Sequence, residues 1–511
     1  MNNRVFPVVD LFAGPGGLGE GFSAFADDKL HPFDVRLSIE KDSVACETLR
    51  LRKFFREFSE PPEEYTHYVS GNMQRADLYS QFPKQAKLAA DQTWCAELGK
   101  KTQSLVYARV RRAIGAARNW VLLGGPPCQA YSIVGRSRMK SRLDFEADER
   151  HFLYKEYLRI VANQRPTIFV MENVKGLLSA THGGQRIFER IQSDLRQPGK
   201  AARIHAAHDV VYDLHALAIG KQRDRHGGVS DSFLVRAEDY GIPQTRHRVI
   251  IIGVRRGLHA RPGRLDPGPP VAVADVLADL PEIRSRLSRE PDSPAAWREA
   301  VAGVRTHRWF QSGNGSQWAD VAKHARAALE SLRWPTSAGA PYLAHKARPI
   351  INSRWYRHNA TGLTMHEARS HMRSDLWRYF FCVCYTAVRG RSPDLRDFPP
   401  ELYPAHKNLG EALKGEKFGD RFRVQQADRP ASTVTSHIAK DGHYFIHYDP
   451  RQCRSLTPRE AARIQTFPDS YFFEGNRTEQ FHQIGNAVPP LLAREIAGIV
   501  YELLSATVRS R

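Results

Sequence analysis

Short, continuous apolar runs recur along the first half of the chain, each closed by turn residues or charges. Val8-Val9-Asp10-Leu11-Phe12 is the first, followed at once by Gly14-Pro15-Gly16-Gly17-Leu18-Gly19 and a helical pattern from about Glu20. Residues 35–40 predict a second strand that ends on an acid, and residues 43–55 the next helix. Residues 120–124, 168–172 and 249–254 are further runs of the same kind. Strands buried on both faces read as uninterrupted apolar runs rather than as alternation. Strands that alternate with helices predict an α/β fold: a parallel sheet with helices on both faces. Ligands on such a sheet bind outside the carboxyl ends of the strands.

Two stretches break this rhythm. Residues 83–119 are rich in Ala, Lys, Arg and Gln and predict a helical insertion, taken as about 74–119. From Arg255 to about Pro450 the alternation is absent, while Pro, Arg, His and Trp are frequent. Arg261-Pro262-Gly263 and Pro267-Gly268-Pro269-Pro270 predict a linker into a second domain. The expected division is a sheet domain over 1–256, a second domain over 257–470, and a segment over 471–511 that returns to the first.

The length of 511 residues corresponds to about three domain-sized units, or two with one enlarged. A hydrophobic fraction of 41% supports real cores and excludes wholesale disorder. The 75 Lys and Arg outnumber the 55 Asp and Glu, for a net charge of +20, which favours a polyanionic partner, nucleic acid first. Six scattered Cys are too sparse for a disulfide scaffold and predict a reducing compartment. Cys382-x-Cys384 is not a zinc spacing, so no metal is expected. No apolar run approaches the roughly 20 residues of a membrane span. The expected location is the cytoplasm, associated with the nucleoid through DNA.

Glycines after a strand let the backbone approach a ligand and begin a helix whose N-terminus faces it. Gly14-x-Gly16-x-x-Gly19, with Glu40 about 20 residues on, meets the dinucleotide fingerprint. By itself this pattern does not separate NAD or FAD from S-adenosylmethionine. The next strand ends in Gly124-Gly125-Pro126-Pro127-Cys128-Gln129-Ala130-Tyr131-Ser132, where two prolines fix a turn that presents one thiol at the ligand edge, as a nucleophile requires. Met171-Glu172-Asn173-Val174 brings a carboxyl to that edge, and Gln244-Thr245-Arg246-His247-Arg248 brings two guanidinium groups.

Taken together, these segments resemble the ordered motif set of the DNA (cytosine-5) methyltransferases. Phe12-Ala13-Gly14-Pro15-Gly16-Gly17 resembles the cofactor loop, Pro127-Cys128-Gln129 the nucleophile turn, and Glu172-Asn173-Val174 the acid motif. Gln244, Arg246 and Arg248 match Gln-x-Arg-x-Arg. Arg454-Ser455-Leu456-Thr457-Pro458-Arg459-Glu460, continuing to Gln465-Thr466-Phe467-Pro468-Asp469, resembles the late motif, and Gln483-Ile484-Gly485-Asn486-Ala487-Val488-Pro489-Pro490 the closing one.

The resemblance implies a Rossmann-like methyltransferase sheet with a variable target-recognition domain. The cofactor would be S-adenosylmethionine, with S-adenosylhomocysteine as product, and the substrate a cytosine in a specific duplex DNA sequence. Cys128 would add to C6 of the base. Glu172, its pKa raised by burial, would donate to N3 and read the exocyclic amine; Arg248, with Arg246 beside it, would bind the O2 edge. Phe12, Ala13, Gly14, Gly16, Gly17, Leu18, Glu40, Lys41, Pro127, Asn486 and Val488 would line the cofactor site. Asn72 and Met73 would stand where the family commonly has Gly-Asp after the third strand. The cytosine must leave the helix to be reached, and Gln129, Ser132, Arg136, Arg138 and Gln244 are the expected DNA contacts. Arg348, Arg354, Arg357, Arg369 and Arg373, interleaved with Trp355, Tyr356, Trp377 and Tyr379, are candidates for recognition. A monomer is expected, and a cognate restriction endonuclease or other defence proteins would be its partners. Competing readings are a tRNA cytosine-5 methyltransferase, a catalytically silent DNA-binding regulator, and a nicotinamide dehydrogenase that would leave the Cys128 and Glu172 motifs unexplained.

Overall fold

A computed structural model describes the chain except for residues 1–4, 29, 128–148, 183–184, 208–209, 220–231, 259, 331–333, 345–348, 406–408, 416–418, 441 and 510–511. Two compact units emerge. The first comprises residues 1–59, 79–270 and 486–511; the second comprises 60–78 and 271–485. Among the described residues no helix is long and apolar enough to cross a membrane.

The first unit is built on eight strands: β1 Phe6–Leu11, β2 Phe33–Glu40, β3 Thr93–Cys95, β4 Val121–Gly124, β5 Ile168–Val174, β6 Tyr212–His215, β7 Leu234–Arg236 and β8 His247–Arg255. Their order is β3-β2-β1-β4-β5-β8-β6, with β7 also pairing β8. Strands β1 to β5 run parallel. β8 runs antiparallel to β5, β6 and β7. A purely parallel sheet is therefore too simple. β8 is reached from β7 through residues 237–246 with no crossover α-helix, a connection shorter than the dozen or more residues that parallel strands need.

Five helices follow the strands: α1 Gly17–Ala24, α2 Ser43–Arg56, α3 Gln103–Ile114, α4 Glu149–Gln164 and α5 Ile187–Arg196. Asp42 caps α2, its carboxyl accepting from Ala45 N at 2.8 Å. Val106 and Val110 of α3 and Leu158 and Val161 of α4 bury against Val9, Leu122, Phe169 and Ile251 of the sheet. On α1 and the C-terminal helix Pro490–Arg509, the rings of Phe22, Phe25 and Tyr501 gather round Phe33 of β2.

The third strand corrects the sequence reading. Gly71-Asn72-Met73 follow the helix Glu63–Val69 in a helical turn of the second unit, with Asn72 N bonded to His67 O at 2.8 Å. The strand that pairs with β2 is Thr93-Trp94-Cys95. It lies inside the stretch expected to be a helical insertion, between the helix Pro83–Asp91 and α3. Three residues ending on an exposed cysteine leave no apolar run to detect.

In the second unit the helix Arg373–Arg389 packs Leu376, Phe380, Phe381, Cys382 and Cys384 against Trp297, Trp309 and Phe398. A second, charged core surrounds the helix Pro458–Ile464. Thr457 and Glu460 form a capping box at its start, with Pro458 at the first helical position. Arg454, Arg459 and Arg463 are wholly buried. Both carboxylate oxygens of Glu460 accept from Arg454 at 2.7 Å, and Arg463 binds Asp469 at 2.9 and 2.6 Å and also reaches Asp279. Removing one partner of such a pair strands a buried charge and costs about 3–5 kcal/mol.

This unit also corrects the recognition candidates. Tyr356 and Tyr379 are core residues, Trp355 donates to Thr466 O and Trp377 to Ala300 O, and Arg357 and Arg373 are paired with Asp279 and Glu290. Arg348 lies outside the described residues.

Two histidines sit in the charged core. His366 donates from Nε2 to Pro281 O at 2.9 Å, and His447 stacks on Tyr448. Burial, the largest cause in both, pushes their pKa values down to about 4, against the pull of Glu460. The native state holds both imidazoles in the neutral form. Their contribution is complete above the unfolded value near 6.5 and is lost as pH falls towards 4. The two histidines should therefore lower the thermal unfolding midpoint by about 5 °C or more at pH 5 relative to pH 7.5, partly offset by the buried Asp10 carboxyl, whose raised pKa of about 7 acts in the opposite direction, and His366→Gln should lessen the loss at pH 5.

Candidate active site

The site begins with strand register. Leu11 of β1 is level with Gly124 of β4, and Gly124 with Met171 of β5. The residues that follow these positions therefore leave the sheet at one edge. The strand order changes direction between β1 and β4, which makes this edge the switch point of the sheet.

From β1 the chain turns sharply, with positive φ at Phe12, Gly14 and Gly16, and enters α1 at Gly17. Glu40, the last residue of β2, organises this turn. Its Oε2 accepts from Gly14 N at 2.8 Å, and its Oε1 accepts from Lys41 N at 2.8 Å and Asp42 N at 2.9 Å. One carboxylate thus ties the glycine loop to the start of α2. A side chain at Gly14 would meet open space, so the loop leaves room for a ligand there. The Lys41 ammonium stands 3.6 Å from Glu97, two residues beyond β3. Glu97 holds the strand-end position that had been expected of Asn72, and the absence of an apolar run at β3 hid it.

The closing motif reaches the same loop. A Cβ at Gly17 would lie 2.2 Å from Val488 O, so the backbones touch in a way only glycine permits. Val488 is buried, Asn486 is exposed, and Leu18 is buried on α1. Beneath α1, the buried Asp10 carboxyl faces Gly19, and burial pushes its pKa up to about 7 against the pull of Lys53.

After β4 come Gly125, Pro126 and Pro127. Cys128, Gln129, Ser132, Arg136 and Arg138 lie outside the described residues. The approach to them is well defined. Asn173 donates from Nδ2 to Pro126 O at 3.1 Å in a buried setting, holding the proline turn against the end of β5. A Cβ at Gly125 would stand 3.1 Å from Glu172 Oε2, which places that carboxylate directly beside the turn. Glu172 Oε1 accepts from Arg248 Nε at 2.8 Å. The sequence suggested a buried, donating carboxyl; the structure shows an ion-paired one. Arg248 also donates from Nη1 to His247 O at 2.8 Å. Arg246, just before the start of β8, is buried. Burial and the adjacent Arg248 push its pKa well below the usual guanidinium value, opposed by Glu172. Gln244 is fully buried. Among the described residues no group of three His, Cys, Asp or Glu forms a metal-ligand set.

The role of Asn173 was not read from the sequence, where it was only the middle letter of a motif. Asn173→Ala should leave the Pro126 carbonyl without its donor, cost about 1–3 kcal/mol in denaturant unfolding, and lower turnover about tenfold or more through misplacement of the turn, with little change in cofactor affinity. Gly17→Ala should destabilise by about 1–3 kcal/mol in denaturant unfolding, because Val488 must move.

Comparison with known proteins agrees with this arrangement. Residues 112–502 match the family described as C-5 cytosine-specific DNA methylase. The type II methyltransferase M.Bpa9945I of Bacillus paralicheniformis is 32% identical over 98% of this chain and 99% of its own length. The type II methyltransferase M.AgeI of Thalassovita gelatinovora is 28% identical over 78% of this chain and 86% of its own. The fold is shared with a prophage-encoded Escherichia coli protein described as a DNA modification methyltransferase, at 20% identity and a TM-score of 0.50, covering 98% of this chain and 99% of that one. With the switch-point loop, the carboxylate–guanidinium pair and the matched length all in agreement, the chain belongs to the C-5 cytosine-specific DNA methylase family.

Proposed function

We propose that this methyltransferase modifies C5 of a cytosine turned out of duplex DNA, by way of a covalent bond from Cys128 to C6, within a restriction–modification system. The observation that carries this reading is the convergence of Glu172 and Arg248 on the proline turn that precedes Cys128. Cytosine C5 is a poor nucleophile. Thiolate addition at C6 converts the ring into an enamine that can attack an electrophilic methyl group. Arg248 is placed to bind the O2 edge and Glu172 the N3 and amine edge, so the present ion pair would open to admit the base between them. Preorganised groups of this kind act where charge develops.

The glycine loop, the Glu40 carboxylate and the open face at Gly14 fit S-adenosylmethionine, which supplies the methyl group when bound. Glu40 would face the ribose, with two of its backbone donors fixing its orientation. Lys41 and Glu97 flank the position beyond, where an adenine amine would find the Glu97 carboxylate. After transfer, loss of the C5 proton and expulsion of the Cys128 thiolate would free the product.

Labelled S-adenosylmethionine with mixed-sequence duplex DNA should yield 5-methylcytosine in one sequence context, read by bisulfite sequencing, and total tRNA should remain unlabelled. Glu172→Gln should lower turnover by about a hundredfold or more, with S-adenosylhomocysteine affinity unchanged. Cofactor binding without transfer to any duplex would contradict the assignment.

A further inference from the structure

Two thiols flank the cofactor edge without a role in the chemistry above. Cys95 ends β3 and is level with Glu40 of β2. Cys46 lies in the first turn of α2, its N–H bonded to Asp42 O at 2.9 Å. Their side chains converge on adjacent peptide groups. Cys46 Sγ donates to Glu40 O at 3.3 Å, and Cys95 Sγ donates to Lys41 O at 3.7 Å. These bonds set the two sulfurs on consecutive carbonyls of one turn, and each thiol lies in the other's electrostatic surroundings. Cys46 is buried and Cys95 exposed.

We infer that Cys46 and Cys95 form an oxidant-reactive dithiol whose closure to a disulfide weakens cofactor binding. Sheet pairing and the first turn of α2 already bring the sulfurs together, so only a short movement separates contact from a bond of about 2.05 Å. The asymmetry of exposure assigns the roles. Exposed Cys95 meets a hydroperoxide first: its thiolate attacks one peroxide oxygen, the O–O bond breaks, and a sulfenic acid forms as hydroxide leaves and takes up a proton. Cys46 Sγ then attacks Cys95 Sγ. The S–S bond forms, the S–O bond breaks, and the departing hydroxide takes the Cys46 proton as water. In sum, two thiols lose two electrons and hydrogen peroxide becomes two waters. Burial pushes the Cys46 thiol up, which disfavours it as the initiating thiolate; in the resolving step it gives up its proton as it attacks, and the departing hydroxide takes that proton. Cys382, Cys384 and Cys453 are buried in the other unit, where a peroxide has poor access.

The consequence follows from what the thiols now hold. Forming the bond draws both sulfurs off the Glu40 and Lys41 carbonyls, at the turn whose Glu40 carboxylate anchors Gly14. This consequence rests on the cofactor assignment proposed above; the disulfide itself does not.

The full-length protein, treated with hydrogen peroxide, should give a linked Cys46–Cys95 peptide in non-reducing peptide mass mapping. Its S-adenosylhomocysteine affinity should fall by about tenfold and return with dithiothreitol. Binding rather than turnover is the readout, because Cys128 can also oxidise. Cys95→Ser, at an exposed position, should bind as the reduced protein does and keep its affinity after the same treatment. No linked peptide, or a linked peptide with unchanged affinity, would overturn the inference. Failure of the reduced protein to bind S-adenosylhomocysteine would instead overturn the cofactor assignment, while the peptide map would still decide whether the dithiol closes.

Discussion

The level ending of β1, β4 and β5 is the constraint from which the chemistry of the first unit follows. Leu11, Gly124 and Met171 are aligned across three parallel strands, so the glycine loop, the proline turn and Glu172 leave the sheet side by side. Burial of both faces of these strands enforces the alignment. Slipping one strand by a residue would turn its side chains over and break packing on both sides at once. The site is therefore precise because the core is, and its reactive groups need only short turns to hold them.

Charge does the remaining work, in two different ways. In the first unit, Glu40 spreads one carboxylate over three backbone donors, and Glu172 pairs with Arg248 in a part-exposed setting where the pair can exchange partners. In the second unit, Arg454, Arg459 and Arg463 are sealed from solvent with their carboxylates. An exchangeable pair suits the proposed entry of a base. A sealed network suits a framework that must keep one arrangement, since any single loss leaves a bare charge in a poor dielectric.

Much of this was legible in the sequence, for identifiable reasons. β1, β4 and β5 announce themselves because doubly buried strands are largely apolar, and β2 by the alternation of apolar with polar residues in Phe33–Glu40; the chemical motifs sit at their ends because parallel sheets put ligands there. β3 was hidden because Thr93-Trp94-Cys95 is too short and too exposed to form a run, and that error displaced the strand-end acid from Glu97 to Asn72. The direction of β8 depends on a return from β7 that no local pattern encodes. Trp355, Tyr356, Trp377 and Tyr379 looked like a recognition surface because aromatics among arginines serve both packing and binding; only their partners, such as Thr466 O and Ala300 O, separate the two. Asn173 was invisible for a related reason. Its value lies in a bond to Pro126 across 47 positions of sequence.

In the proposed reaction the turn beside Glu172 and Arg248 delivers one sulfur to a pyrimidine ring. Duplex DNA carrying 5-fluorocytosine in the target context, given with S-adenosylmethionine, traps that bond, because fluorine cannot leave as the proton does. A stable protein–DNA adduct whose peptide mass maps to Cys128, and which a Cys128→Ser protein does not form, is the expected result. Methylation of unmodified DNA without any such adduct, or an adduct at another residue, would contradict it.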